Sequence, residues 1–167
     1  MRSDLRLRGA DGFDQPFLQQ VFVLAADWNA ATARGAEHWM SDPVLEKYLG
    51  TWREGSDFGF IVEAGVQPVG ALWMRYFAQA DGSYGFVDER TPELTLGVRD
   101  GFRGEGVGRT LLLAAQDAAP GRLSLSVEDG NRAIRLYESV GFEPVGRVGN
   151  STTMLWADSL SGNSLRP

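Results

Sequence analysis

Apolar and polar positions change period several times along this chain, and each change marks an element. Leu5-Arg6-Leu7-Arg8 alternates, which predicts a first strand ended by Gly9. From Asp14 the apolar residues Phe17, Val21, Leu24 and Ala25 recur at helical spacing. That pattern predicts a helix over residues 16–28, capped by Asp14, with Pro16 in its first turn. Residues 30–35 are small and read as a connection. A second helix is expected from Ser41 or Asp42, with Pro43 early and Val44, Leu45, Tyr48 and Leu49 turned inward. Residues 50–57 read as loop. Residues 58–63 and 69–77 read as two strands of a hairpin around the Gly-containing stretch 64–68. Residues 79–90 are polar and are expected to be an exposed connection.

The stretch Glu93 to Leu113, ELTLGVRDGFRGEGVGRTLLL, organises the rest of the chain. Leu94-Thr95-Leu96-Gly97-Val98 is a short apolar run bounded by Pro92 and Asp100, as a buried strand would be. A glycine-rich turn follows, and then a leucine-rich run of good helix formers from Thr110. Strand, glycine loop and helix start together make an anion site. The glycines let a ligand approach the main chain, and the helix points unpaired N–H groups and its positive dipole end into the loop. Beyond it come a strand over residues 122–127, a helix capped by Asn131 and ended by Gly141, and strands near 144–147 and 152–156. The tail 158–167 is rich in Ser, Gly and Asn and is expected to be flexible.

Spacing separates the phosphate loops that share this logic. The dinucleotide pattern G-x-G-x-x-G fails, because Arg109 stands where its third glycine belongs. A Walker A loop over residues 103–110 would have Arg103 in place of its first glycine and Arg109 in place of its lysine. The pattern [QR]-x-x-G-x-[GA] fits from Arg103 through Gly106 to Gly108, and it resembles the acyl-CoA loop of the GNAT superfamily of N-acetyltransferases. A second stretch, Asn131-Arg132-Ala133-Ile134-Arg135-Leu136-Tyr137-Glu138-Ser139-Val140-Gly141-Phe142, resembles that family's N-x-x-A-x-x-x-Y-x-x-x-G-F. Here the alanine is shifted, since Ala133 follows Asn131 by two places. The resemblance covers roughly residues 58–156.

It implies an α/β fold, a GNAT-like mixed sheet flanked by about four helices. Residues 1–157 would form one domain. It also implies acetyl-CoA as cosubstrate. The backbone of Gly104, Glu105, Gly106, Val107, Gly108 and Arg109 would hold the pyrophosphate, with Arg103 and Arg109 adding charge. Asn131 is counted with this cofactor site. Leu96, Gly97 and Val98 would run beside the pantetheine arm, the Val98 N–H would face the thioester carbonyl, and Gly97 would permit a bulge. Tyr137 would protonate the departing thiolate, against the alternative that it only packs the core. Glu93 would take the acceptor's proton, against the alternative of a solvent-facing strand start.

Composition narrows the chemistry further. Among 167 residues there is no cysteine and a single histidine, His38, which removes thiolate nucleophiles, histidine triads and Cys/His metal sites. A net charge of −6 argues against a nucleic-acid partner and suits a cationic amine, whether a small molecule or a protein amine. No apolar run reaches bilayer length and no secretory signal is present, so no membrane partner is expected and a cytoplasmic location is. The resemblance leaves a homodimer open. Trp28, Trp39, Trp52 and Trp73 read as core or partly buried packing rather than an acceptor pocket, and His38 as a surface residue.

Overall fold

Residues 2–52 and 57–160 are described by a computed structural model. Among these residues seven strands form one sheet: β1 (Leu5–Gly9), β2 (Phe58–Ala64), β3 (Gln67–Arg75), β4 (Glu93–Val98), β5 (Arg122–Glu128), β6 (Glu143–Val148) and β7 (Ser151–Ala157). Their order is β1-β2-β3-β4-β5-β7-β6. Every neighbouring pair is antiparallel except β4 with β5, which is parallel. A parallel pair needs a crossover, and helix α4 (Val107–Ala118) supplies it. The other helices are α1 (Gln15–Ala26), α2 (Ala36–Ser41), α3 (Pro43–Leu45, widening into a π turn over Glu46–Gly50) and α5 (Ala133–Ser139).

Strand alternation divides the buried side chains into two cores. On one face Leu72, Met74, Leu94, Leu123, Leu125 and Val127 pack with Val107, Leu111, Leu112 and Ala115 of α4 and with Tyr137 of α5. On the other, Ile61, Ala71 and Trp73 pack with Phe17, Leu18, Val21 and Phe22 of α1 and with Leu45, Tyr48 and Leu49. Each fully buried leucine in these layers contributes about 1.5–3 kcal/mol of transfer free energy. The sheet is therefore covered on both sides around β3 and β4, and that is where the site lies.

Local chemistry explains where the structure departs from the pattern. Asp14 stands just before α1 but makes no side-chain cap there. Its carboxylate instead takes both terminal nitrogens of Arg8, at 2.7 and 2.8 Å, and the Asp11 N–H at 2.8 Å. The side-chain cap is Asp11, on a 3-10 turn at Gly12–Asp14. Helix α1 stops at Ala26 rather than near Trp28, because the next residue is tied elsewhere. The Asp27 carboxylate accepts from the Arg34 and Gly35 N–H groups and from Trp39 Nε1. Helix α2 was not expected; it buries no residue, so it carries no apolar period to read. Asp42 caps α3 through the Val44 N–H. The hairpin turn between β2 and β3 narrows to Gly65 and Val66, with Gly65 at φ +62°.

Two further expectations are corrected. Gly97 carries no bulge, since β3 and β4 keep register from Gly70↔Val98 to Arg75↔Glu93. A Cβ at Gly97 would meet Val21 Cγ1 at 2.8 Å and the Val21 carbonyl at 3.0 Å, so this glycine lets α1 lie close to the sheet. Residues 79–90 are not simply an exposed connection, because Ser83 and Gly85 are buried against the site. Part of the loop expected at 50–57, and residues 161–167 of the tail, lie outside the described residues.

Candidate active site at the parting of two strands

Strands β4 and β5 pair only at Glu93↔Ser124, with the Ser124 N–H donating to the Pro92 carbonyl at 3.0 Å. Beyond that point they part, and β4 keeps an unpaired edge. Strand geometry says which groups occupy it. The Arg99 N–H donates to Val69 of β3 at 2.8 Å, so the odd-numbered amides of β4 turn to β3 and those of Leu96 and Val98 turn to the opening. Of the three residues expected beside the pantetheine arm, Leu96 and Val98 thus offer main-chain groups to the cleft. Gly97 does not.

The glycine loop closes the wide end. Gly101, Gly104 and Gly106 all have φ between +76° and +86°, a region that strains any residue with a Cβ. A Cβ on Gly104 or Gly106 would meet nothing within 4 Å, so the loop's surface is open at both. The first helical bond of α4 runs from the Thr110 N–H to the Gly106 carbonyl at 3.0 Å. The amides of residues 106–109 therefore have no acceptor within the helix and form a cluster of donors at its positive end. Val107 and Gly108 belong to the packing as well. Val107 is buried, and a Cβ on Gly108 would stand 2.9 Å from Leu136 of α5. Arg103 and Arg109 are exposed on either side, Arg103 donating to the Val98 carbonyl at 3.2 Å and Arg109 to Ser139 Oγ at 3.2 Å. Glu105 is half-buried in the same loop.

Asn131, one residue before the Arg132 N-cap position of α5, accepts the Ala133 N–H on its Oδ1 at 2.9 Å. Tyr137 is buried on that helix, edge-on to Phe142 at 6.1 Å between ring centres. Burial pushes its hydroxyl up to about 12, so it is a phenol rather than a phenolate at neutral pH.

Glu93 is not solvent-facing: it is 5% exposed. Its Oε1 accepts from the Tyr48 hydroxyl at 3.0 Å and from the Gly85 N–H at 3.0 Å. The same Tyr48 hydroxyl accepts the Tyr84 N–H at 3.0 Å, so one phenol pins both the carboxylate and the segment lying over it. Glycine is required at 85, where a Cβ would fall 2.9 Å from the Glu93 carboxyl carbon. Burial pushes the Glu93 carboxyl up, opposed by the nearby Ser83 and Tyr48 hydroxyls, the Gly85 N–H and the Lys47 charge. Ser83 Oγ is close enough to favour the charged form yet lies outside hydrogen-bond geometry. Glu93 Oε2, Ser83 Oγ and Ser124 Oγ are all buried without a hydrogen-bond partner. Unsatisfied buried polar atoms are costly and cluster where function needs them.

Sequence reasoning missed Tyr48, Ser83, Gly85 and Ser124 as parts of this site. It had no short-range signal for them, since Tyr48 is 45 residues from Glu93. It also missed Trp28 and Glu128, which meet across the wide end at 3.1 Å between Nε1 and Oε2. Among the described residues no group of three or more His, Cys, Asp or Glu is placed to hold a metal ion, and no helix is long and apolar enough to cross a membrane.

Comparison with known proteins shows the family and the fold. A relative in Thermobispora bispora, a mycothiol acetyltransferase, is 32% identical over 126 residues, which is 69% of this chain. This chain spans 41% of that relative's length. Among solved structures, the PaiA N-acetyltransferase of Thermoplasma acidophilum, in complex with coenzyme A, superposes with a TM-score of 0.69 at 17% identity. That match covers 92% of this chain and 98% of the other. A ribosomal-protein-alanine N-acetyltransferase of Brucella melitensis gives a TM-score of 0.59 at 25% identity, covering 91% and 99%. The profile of the acetyltransferase (GNAT) family matches residues 22–142, and the chain belongs to that family.

Proposed function

We propose that this chain is an acetyl-CoA-dependent N-acetyltransferase acting on a primary amine by direct attack in a ternary complex, with residues 1–157 as one catalytic domain. The observation that carries the reading is the parting of β4 from β5 directly below the amides at the start of α4. The glycine loop and helix start suit a pyrophosphate, and the free edge at Leu96 and Val98 suits an arm built of amides. Acetyl-CoA supplies an activated thioester, and the residues of this chain would do the rest. The Val98 N–H, turned away from β3, would be the donor for a developing oxyanion. Tyr137, held protonated by burial, would give its proton to the departing sulfur.

The amine must lose a proton before or as it attacks. With an ordinary pKa near 10.4, freeing its lone pair at pH 7 costs about 4–5 kcal/mol. Glu93 would take that proton through a relay of waters ending at the Ser83 and Ser124 hydroxyls, because its own carboxylate is buried and lies five residues along β4 from Val98, about 16 Å. A raised carboxyl pKa favours this, since a base works best when its pKa approaches the working pH. The neutral amine nitrogen bonds to the acetyl carbon, the C–S bond breaks as sulfur takes the Tyr137 proton, and the second proton shed by the nitrogen restores the phenol, so that one proton leaves by way of Glu93 and one ends on the thiol.

The test is release of free thiol from acetyl-CoA against a panel of amines, beside calorimetry of CoA binding. Amine-dependent thiol release supports the enzyme. Tight CoA binding without turnover on any amine would make the chain an acyl-CoA sensor, and absence of CoA binding would remove the loop assignment itself.

A further inference from the structure

Strand β5 carries two kinds of side chain on its two faces. Leu123, Leu125 and Val127 enter the core with α4, so Ser124, Ser126 and Glu128 turn to the α1 face. This polar row begins at the closed end of the cleft, where Ser124 is fully buried and its Oγ has no hydrogen-bond partner. It ends at Glu128, which is half-buried. Glu93 is level with Ser124 in the parallel register, so four residues further along each strand Glu128 is level with Gly97. Glu128 therefore stands across the widening cleft from the stretch of β4 that offers the Leu96 and Val98 amides.

The carboxylate is held by a neutral donor. Trp28 Nε1 donates to its Oε2 at 3.1 Å, and the same indole passes Gly130 at van der Waals distance, 3.8 Å from where a Cβ would stand. Among the described residues Glu128 makes no ion pair, whereas its neighbour Asp129 is closed by Arg147 at 2.7 Å. A half-buried carboxylate fixed in orientation, with its charge uncompensated, is a receptor for a cation.

We propose that Glu128, oriented by Trp28, docks the ammonium group of the acceptor on the α1 side of the cleft. The proposal rests on the amine-acetyltransferase reading and deepens it by naming a substrate class. Acceptors are primary amines with no carboxylate beside the amine, because that carboxylate would be brought against Glu128. Glu128 is a docking and specificity residue; it stands four residues along the sheet from Glu93, about 13 Å, so proton removal by Glu93 would run through the same water relay.

The probes are two matched pairs. Phenethylamine and cadaverine are compared with phenylalanine and lysine, which add a carboxylate beside the only amine of the first and beside one of the two amines of the second. The parent should release thiol with a lower KM for phenethylamine than for phenylalanine, while lysine, whose ε-amine stands clear of its carboxylate, should be taken like cadaverine. Glu128→Gln should raise the KM for phenethylamine and cadaverine by about tenfold, with kcat within about twofold and CoA affinity unchanged. It should also narrow the preference over phenylalanine. Trp28→Phe, which keeps a ring and removes the N–H, should raise KM by about threefold. An unchanged KM in Glu128→Gln overturns the proposal, and so does a fall in kcat with KM kept, which would put the carboxylate in the chemistry. If the parent binds CoA but acetylates neither these four nor any amine of the wider panel, the transferase reading fails by itself. Calorimetric titration of cadaverine into the CoA-bound protein then decides the subsite: binding lost in Glu128→Gln supports it, and binding kept or never present overturns it.

Discussion

The two faces of the sheet at β4 are built in different ways. The α4 face is assembled from neighbours in sequence: β4, the glycine loop and α4 follow one another without interruption, and α5 follows β5 as directly. The α1 face is assembled from distant parts. Tyr48 reaches Glu93 across 45 residues, Trp28 reaches Glu128 across 100, and Arg8 joins Glu63 across 55. The first face has the donors a cosubstrate would need, and the second has the carboxylates an acceptor would meet. A division of this kind lets a shared cosubstrate site persist while the acceptor side varies. Substitutions on the α4 face should therefore disturb CoA or the leaving group, and those on the α1 face should disturb transfer to the amine with CoA binding intact.

The largest effect is expected from Tyr137→Phe. The ring keeps its contact with Phe142, and only the proton donor goes. The maximum rate should fall about ten- to a thousandfold, the scale of a general acid, with CoA affinity kept. A rate equal to the parent's would return Tyr137 to core packing.

Glu93→Gln should come next and is the sharpest probe of the other face. The amide oxygen can take the place of Oε1 and accept from Tyr48 and Gly85, while its NH₂ replaces an oxygen that had no partner. The variant should therefore fold. Transfer should fall by about tenfold to a hundredfold at neutral pH, and the defect should shrink as pH rises and more amine is already neutral. A pH–rate profile identical to the parent's would take the proton-accepting role from Glu93.

Gly106→Val is expected to weaken CoA binding by about tenfold, or 1.4 kcal/mol. Two causes add: a side chain enters the open face of the loop, and φ +86° strains any residue with a Cβ. Calorimetry on the folded variant checks it, and unaltered CoA affinity would move the phosphate site elsewhere.

The smallest effect is on stability, again through Glu93. Burial raises its folded pKa above the ordinary carboxyl value, so the folded state holds the proton more tightly than the unfolded state. Stability from this group is then fullest below the unfolded pKa near 4.5 and declines as pH rises through the raised folded value. Each unit of that rise amounts to about 1.4 kcal/mol. The difference in Tm between Glu93→Gln and the parent should therefore grow in favour of the variant over that window and level off above it. A difference independent of pH would mean that the carboxyl is not shifted.

The elements that were legible in sequence were those whose signal is short. The β2–β3 hairpin, β4, the glycine loop, α4 and the Asn131 turn before α5 each show their period or punctuation within a few residues. Helix α2 was not legible because it buries nothing and so has no period. The stretch at residues 79–90 was misread because its polar composition is that of a surface loop, while its burial depends on a tyrosine 36 residues earlier. Asp14 was misread as a cap because only the fold brings Arg8 against it.

What the sequence alone determined is the strand, glycine loop and helix on which an anion can be held. Main-chain donors at a helix start follow from local backbone conformation, and glycine spacing reports that conformation directly. What only the tertiary structure decided is the state of the two carboxylates. Glu93 and Glu128 are alike as letters in the chain, yet one is buried under Gly85 and the other is held half-open by Trp28. Desolvation and the supply of hydrogen-bond donors set the reactivity of a carboxylate, and both come from residues far away in sequence.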